Sequence, residues 1–356
     1  MDETGKVGRL SFYRFLITAI IVLTGLICAC TESKQDRPKK EVKEDILADW
    51  GKWGYIDKTG KFIIPARFDN AESFQEGLAR VEQKGKFEFI DRTGKSIFTV
   101  NRECDHFFSD GLLSFKKDSQ WGFMDKTGRV VIEPNYSAVR QFAEGLACVK
   151  QHDRWGFIDK TGKMVIEPNY LKSTMFSNGY AHVKLPRRDS CFIDRKGQLL
   201  VSDYSAGEPF TEDLAGVKKG KFGFIDANGK LIIPHQFDDA KPFSEGRAPV
   251  KVGHDWGFID KRGKVRVKPA YYRVLGFCQG LAGVFDQKGY FGFVDKEGVP
   301  VIKTSFHDGS NFSEGLAPVM RDDIWGYIDK TGEFTIKPRF VFAGIFKEGL
   351  APVSAR

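Results

Sequence analysis

The side chains of this 356-residue chain that could do chemistry are six histidines, the cysteines and a recurring set of acids. The histidines are His106, His152, His182, His235, His254 and His307. None is at metal-ligand spacing from another, and they read as scattered surface residues. Past the first 30 residues the cysteines are Cys104, Cys148, Cys191 and Cys278, with no C-x-x-C pair. That argues against a zinc site or a dithiol redox motif. A disulfide framework is not expected either, although one bridge between adjacent copies stays open. Glu76, Asp110, Glu144, Glu245, Glu314 and Glu348 recur in one phrase and would form a row or ring of carboxylates. Such a row could present a cation or ligand surface; turn geometry is the preferred reading. No G-x-S-x-G, H-E-x-x-H or glycine-rich phosphate loop occurs. The sequence therefore gives no catalytic residue, metal or cofactor, and the protein is not expected to be an enzyme.

The element that positions these residues is a repeat. Trp155-Gly156-Phe157-Ile158-Asp159-Lys160-Thr161-Gly162-Lys163 recurs in close variants at Trp53, Trp121, Trp256 and Trp325. Its aspartate marks nine copies, Asp57, Asp91, Asp125, Asp159, Asp194, Asp226, Asp260, Asp295 and Asp329, spaced by 32 to 35 residues. A second phrase, F-x-E-G-L-A-x-V, keeps step with it, as at Phe142–Val149. Residues 50–356 are thus one array, with no room for a separate enzyme domain.

Within a copy, Leu146–Lys150, Trp155–Asp159 and Lys163–Ile166 read as three short strands. The last two are joined by a tight turn ending in Gly162, a hairpin signal whose glycine supplies positive φ. The aspartate can accept hydrogen bonds from that turn, so a structural role is preferred over catalysis or metal binding. Trp155, Phe157 and Asp159 alternate onto one face of their strand. Aromatic rings of this size cannot be buried by 34 residues alone and must stack on neighbouring copies. The tryptophans are accordingly expected in the core. Proline often follows the third strand, at Pro65, Pro134, Pro168, Pro234, Pro269 and Pro338. It is expected to end pairing there.

The combined pattern, W-G-[FY]-I-D-K-T-G-K with F-x-E-G-L-A-x-V, resembles the WG-repeat family, also met as KWG repeats. The resemblance spans residues 50–356. Copy two departs, with Phe87-Glu88 in place of Trp-Gly, and so does copy five, with Ser190-Cys191. The resemblance implies β repeats and supplies no catalytic residue. The fold class is all-β: a tandem array of about nine three-stranded antiparallel repeats. A closed propeller-like ring is favoured over an open solenoid. The array opens near Trp53 on the second strand of a copy and ends at Gly349–Val353 on the first, so the last strand can complete the first blade.

The N-terminus differs in kind. Lys6, Arg9 and Arg14 precede an apolar run, Phe15–Ala29, which is short for a membrane span and suits a signal peptide over residues 1–29. Its end, Ile27-Cys28-Ala29-Cys30, resembles the lipobox of bacterial lipoproteins, which implies acylation of Cys30. Residues 30–49 then read as a flexible polar tether. The expected location is the cell envelope, lipid-anchored, with the outer membrane favoured where there is one. The net charge is +8, but Lys and Arg are spread along the array, so nucleic acid is not the expected partner. The leading expectation is a membrane-anchored, non-catalytic surface that binds another protein. A carbohydrate-binding module for peptidoglycan or host glycans, or an enzyme with a loop-borne site, are the alternatives.

Overall fold

A computed structural model describes residues 51–100, 103–186 and 190–355, with only the backbone of Ser202 and Asp203. The expected signal peptide, Cys30 and most of the tether lie outside those residues. The described chain is all β, without a helix. It forms nine small antiparallel sheets, eight of four strands and one of three, arranged as the blades of a closed propeller.

A regular blade consists of Ala138–Ala143, Leu146–Gln151, Arg154–Asp159 and Met164–Tyr170, paired in that order. The first of these adds to the three strands read from sequence. In most blades it is only two residues long, as at Asn70–Ala71, too short to leave a periodic signal. The ring closes as expected. Ala351–Ser354 lies between Phe342–Ala343 and Trp53–Ile56, pairing with Trp53 to Ile56 in continuous register. The Ser354 hydroxyl also donates to the Gly51 carbonyl at 2.7 Å. Every described strand finds its partners between residues 53 and 354, so the array is a self-contained folding unit.

The third-to-fourth turn is a type I turn closed by a glycine bulge. The Asp159 carboxylate accepts from the Thr161 amide, the Thr161 hydroxyl and the Lys163 amide at 2.9, 2.6 and 3.1 Å. Gly162 takes φ of 85°. The proline expectation is corrected. Pro168 lies inside the fourth strand, where the ladder bulges, and pairing resumes at Tyr170 opposite Trp155. Proline is tolerated there because a bulge needs no N–H from that residue.

Between blades the core is aromatic. The phenylalanine of each F-x-E-G phrase packs on the third-strand aromatic of the preceding blade. Nine such pairs, one per joint, have ring centroids 4.7 to 5.2 Å apart, among them Tyr55–Phe74, Phe157–Phe176 and Tyr327–Phe346. Each contributes about 0.5–1.5 kcal/mol beyond its buried area. Trp53, Trp256 and Trp325 are buried, whereas Trp121 and Trp155 are half-buried.

Antiparallel order gives the ring two distinct faces. First-to-second and third-to-fourth turns lie on one, here the Glu-Gly face. Second-to-third turns and the corners between blades lie on the other. The chain enters at Trp53, the start of a third strand, and the last strand ends at Ser354 beside it. The second face is therefore the entry face.

Candidate interaction surface

The acids that could have formed a ligand site are instead bonded within the ring. The residues of the recurring phrase occupy the two central places of a two-residue hairpin. Gln75 and Leu78 exchange both backbone hydrogen bonds across Glu76 and Gly77, which have φ of 54° and 86°. This is a type I′ geometry, favoured in hairpins but strained for a glutamate. The strain is offset across the joint. The Gly111 amide donates to the Glu76 carboxylate at 3.0 Å, Gly145 to Asp110 at 2.7 Å, Gly179 to Glu144 at 2.9 Å and Gly246 to Glu212 at 2.9 Å. The series continues from Gly280 to Glu245 at 2.8 Å, Gly315 to Gln279 at 3.0 Å, Gly349 to Glu314 at 3.2 Å and, across the closure, Gly77 to Glu348 at 3.0 Å. Eight of nine joints carry this clasp. Among the described residues no such bond joins Asn178 to Asp213, where both partners depart from the phrase.

At six joints the basic residue after the repeated aspartate adds to the clasp. Lys126, Lys58, Lys296 and Lys261 approach Glu76, Glu314, Glu245 and Glu212 at 3.0, 3.1, 3.3 and 3.4 Å. Lys330 donates to the Gln279 carbonyl and Arg195 to the Glu144 carbonyl, both at 2.7 Å. The acidic row is thus a set of inter-blade ties. Turn geometry alone does not account for it.

The repeated aspartates are likewise bonded locally. Asp57, Asp125, Asp159 and Asp329 are each held below the ordinary carboxylate range, first by the hydroxyl of the threonine two residues on and then by turn amides. Asp260 departs: burial opposes its ionisation, and Arg266, 2.8 Å away, outweighs it.

One place where the nine copies differ in charge is the position that follows the short first strand in most blades. It is Glu72, Asp105, Arg140, Thr174, Glu208, Lys241, Leu275, Ser310 and Gly344. Its backbone is held alike in most blades, with its amide bonded to the second strand, as in Glu72 to the Arg80 carbonyl and Lys241 to the Pro249 carbonyl, both at 2.9 Å. Where the third-strand aromatic is tyrosine, its hydroxyl adds a tie to the same segment, from Tyr55 to the Glu72 carbonyl at 2.7 Å and from Tyr327 to the Gly344 carbonyl at 2.8 Å. A fixed backbone therefore carries variable side chains. Five of the first six positions are charged, Thr174 being the exception, and the last three are small or apolar.

The joint between the second and third blades is the most polar. Glu72 pairs with His106 at 2.7 Å. Asp105 is half-buried and accepts from the Ser114 hydroxyl at 2.5 Å, and desolvation raises its carboxyl above the usual range. Arg80 is 7% exposed, stacks on Phe87 at 4.5 Å, and its Nε has no hydrogen-bond partner among the described residues. Further along the row, Arg140 lies over Trp155 at 5.5 Å and Lys241 over Trp256 at 4.9 Å.

Of the histidines, only His106 joins this row. His152 and His254 sit in equivalent second-to-third turns, while His235 and His307 lie near Tyr204 and Tyr290. His182 corrects the surface expectation: it is largely buried against Phe192, which lowers its pKa to about 4. The four described cysteines are free, so no bridge forms between copies. No group of side chains suited to holding a metal occurs among the described residues.

A sequence model described as "WG containing repeat" matches residues 53–87, 121–155, 155–185, 192–221, 222–253, 256–289, 291–323 and 325–355. The chain belongs to the WG-repeat family. The largest unmatched interval within the array, 88–120, begins at the copy with Glu88 where the WG glycine belongs. No curated protein matches the chain in sequence. Among solved structures, one titled as the eukaryotic initiation factor is 12% identical, with a TM-score of 0.52 over 80% of this chain and 95% of that one. BamB from Moraxella catarrhalis is 9% identical, with a TM-score of 0.45 over 81% and 96%. The computationally designed Ika8 protein is 15% identical, with a TM-score of 0.45 over 74% and 93%. At these identities the likeness concerns the fold alone.

Proposed function

We propose that this WG-repeat propeller is a non-catalytic binding platform, tethered to a bacterial cell-envelope membrane through an acylated Cys30, and that its variable row recognises another protein. The observation that carries this reading is the division of labour among side chains. The recurring acids, lysines and threonines are tied into turns and joints, while the side chain that varies from blade to blade stands on a fixed backbone. That arrangement is suited to reading the shape and charge of a partner, with Glu72, Arg140, Glu208 and Lys241 as its charged positions.

The test is affinity capture from detergent-solubilised cells. A partner recovered with the wild type should be lost with Arg140→Glu and Lys241→Glu combined, in a chain that melts normally. A partner retained by that variant would sink the assignment of the row. Metabolic labelling with a fatty-acid analogue tests the anchor: wild type should be marked and Cys30→Ala should not.

One observation favours a glycan as the second reading. Tyr272 is 61% exposed and Tyr290 39% exposed, which leaves their rings open to stack on sugars. The family tryptophans, being buried or half-buried, do not offer such platforms. Binding of peptidoglycan fragments that is abolished by Tyr272→Ala would establish the glycan reading instead.

A further inference from the structure

On the Glu-Gly face several lysines are tied to glutamates, whereas on the entry face a set of lysines stands outside the ion pairs that join Lys52 to Asp69, Lys116 to Glu103, Lys150 to Asp153 and Lys221 to Asp238. Lys84, Lys86, Lys117, Lys172, Lys184 and Lys219 are all exposed, and none takes part in an ion pair among the described residues. They belong to second-to-third turns and an inter-blade corner of consecutive blades, so the topology places them on one sector of one face. Most exposed acids in that sector are already bridged, Asp69 to Lys52, Glu103 to Lys116 and Asp153 to Lys150, which leaves Asp118 beside Lys117. Apolar groups accompany the cations. Leu171 is 37% exposed beside Lys172, and Val252 is 47% exposed in the adjoining turn region. A surface of unpaired lysines with exposed aliphatic groups among them matches a bilayer whose headgroups are anionic.

The path of the chain points to the same partner. Residues 1–50 join the array at Trp53, on this face and not the other. Twenty residues separate Cys30 from Gly51. As a random coil, a chain of that length would have a root-mean-square reach of about 25 Å. With Cys30 acylated, the lysine sector would be held close enough to meet the membrane, while the Glu-Gly face would look away from it.

We propose that the entry face docks on an anionic phospholipid surface through this lysine sector. Orientation rests on the Cys30 reading; affinity of the face for anionic lipid does not. Each lysine near such a surface strengthens partition by roughly fivefold, an effect that fades with salt. The attraction also leaves the variable row free for a protein partner, so the lysine sector and the row have separate roles.

The experiment uses residues 51–356, which contain every paired strand and no lipid anchor. Co-sedimentation is measured with vesicles of phosphatidylcholine containing phosphatidylglycerol, and with pure phosphatidylcholine. Binding is expected only to the anionic vesicles, and should be lost at high salt. Changing the six lysines to Gln should weaken it on the order of ten-thousandfold. Changing Lys61, Lys95, Arg129, Lys163, Lys230 and Lys264 to Gln, on the opposite face, removes the same charge and should leave most of it. No binding to anionic vesicles overturns the proposal, as does an equal loss in both variants, which would assign the effect to net charge. So does loss of the captured protein partner on entry-face substitution without vesicle binding, which would assign the face to that protein. Failed fatty-acid labelling with vesicle binding intact would remove the anchor and leave the face standing.

Discussion

The blade built on Gly156 and the blade built on Glu88 solve the same packing problem differently. In the first, Trp155 to Phe157 on the third strand faces Tyr170 to Ile166 on the fourth, an interval of two against four. The two extra residues, around Pro168, bulge over the glycine. A Cβ on Gly156 would stand 2.6 Å from the Ile166 carbonyl oxygen. In the second, Phe87 to Phe89 faces Val100 to Phe98, two against two, and a glutamate fits where the ladder is regular. Copy five is intermediate: Ser190 to Phe192 faces Tyr204 to Val201, two against three, with Cys191 at the glycine position. The glycine of the WG pair therefore exists because another stretch of backbone crosses it. Where the crossing stretch shortens, a side chain returns.

The largest way to break this comparison is to put a side chain under a full bulge. Gly156→Ala should cost about 3 kcal/mol, because the obstacle is backbone and cannot rotate away. Urea unfolding measures it. A loss within a few tenths of a kcal/mol would mean that the bulge is soft and the series accidental.

Copy five offers the next effect, through pH. His182 is neutral and buried, with its pKa lowered by desolvation from 6.5 to about 4. The unfolded chain takes up a proton there before the folded chain does. Stability is therefore full above pH 6.5 and falls as pH drops towards 4, by about 2 kcal/mol from this group. His182→Gln should remove that part of the slope. An unchanged slope in the variant would place the effect in other groups.

A smaller effect comes from the joint without a clasp. Asn178→Glu with Asp213→Gly supplies the missing carboxylate and relieves a non-glycine residue at φ of 71°. The pair should stabilise by about 1 kcal/mol. Neither substitution alone should achieve the same gain, which a double-mutant cycle tests. The smallest effect is the converse of the first: Glu88→Gly removes a side chain from a regular ladder and should cost below about 1 kcal/mol. A loss as large as that of Gly156→Ala would show that the two positions do not differ in kind.

Much of the frame was legible in the sequence because it recurs. Nine aspartates and nine turn glycines mark hairpins, and the phase mismatch between Trp53 and Val353 points to closure. The fourth strand was not legible, since two residues such as Lys172 and Ser173 carry no periodicity. The clasps were missed because Glu76 and Gly111 meet across a joint 35 residues apart, while a local reading assigns both to their own turns. A signal was present nonetheless: Asn178 and Asp213, which would be partners, depart from the phrase together. The variable row escaped notice because its positions share nothing but their place between a short strand and an invariant phenylalanine. His182 was misread for a similar reason, since burial at an inter-blade joint leaves no mark on one residue.

The whole account rests on a ring in which the last strand completes the first blade. Hydrogen exchange on the chain lacking Gly349–Arg356 tests this most directly. In the closed ring, that deletion removes the partner of Trp53–Ile56 and the Gly349 amide that clasps Glu314. Protection should then fall at Trp53–Phe68, almost 300 residues away in sequence, as well as at Phe342–Ala343. Protection lost only beyond Trp325, with the first blade unchanged, would contradict closure and leave an open array.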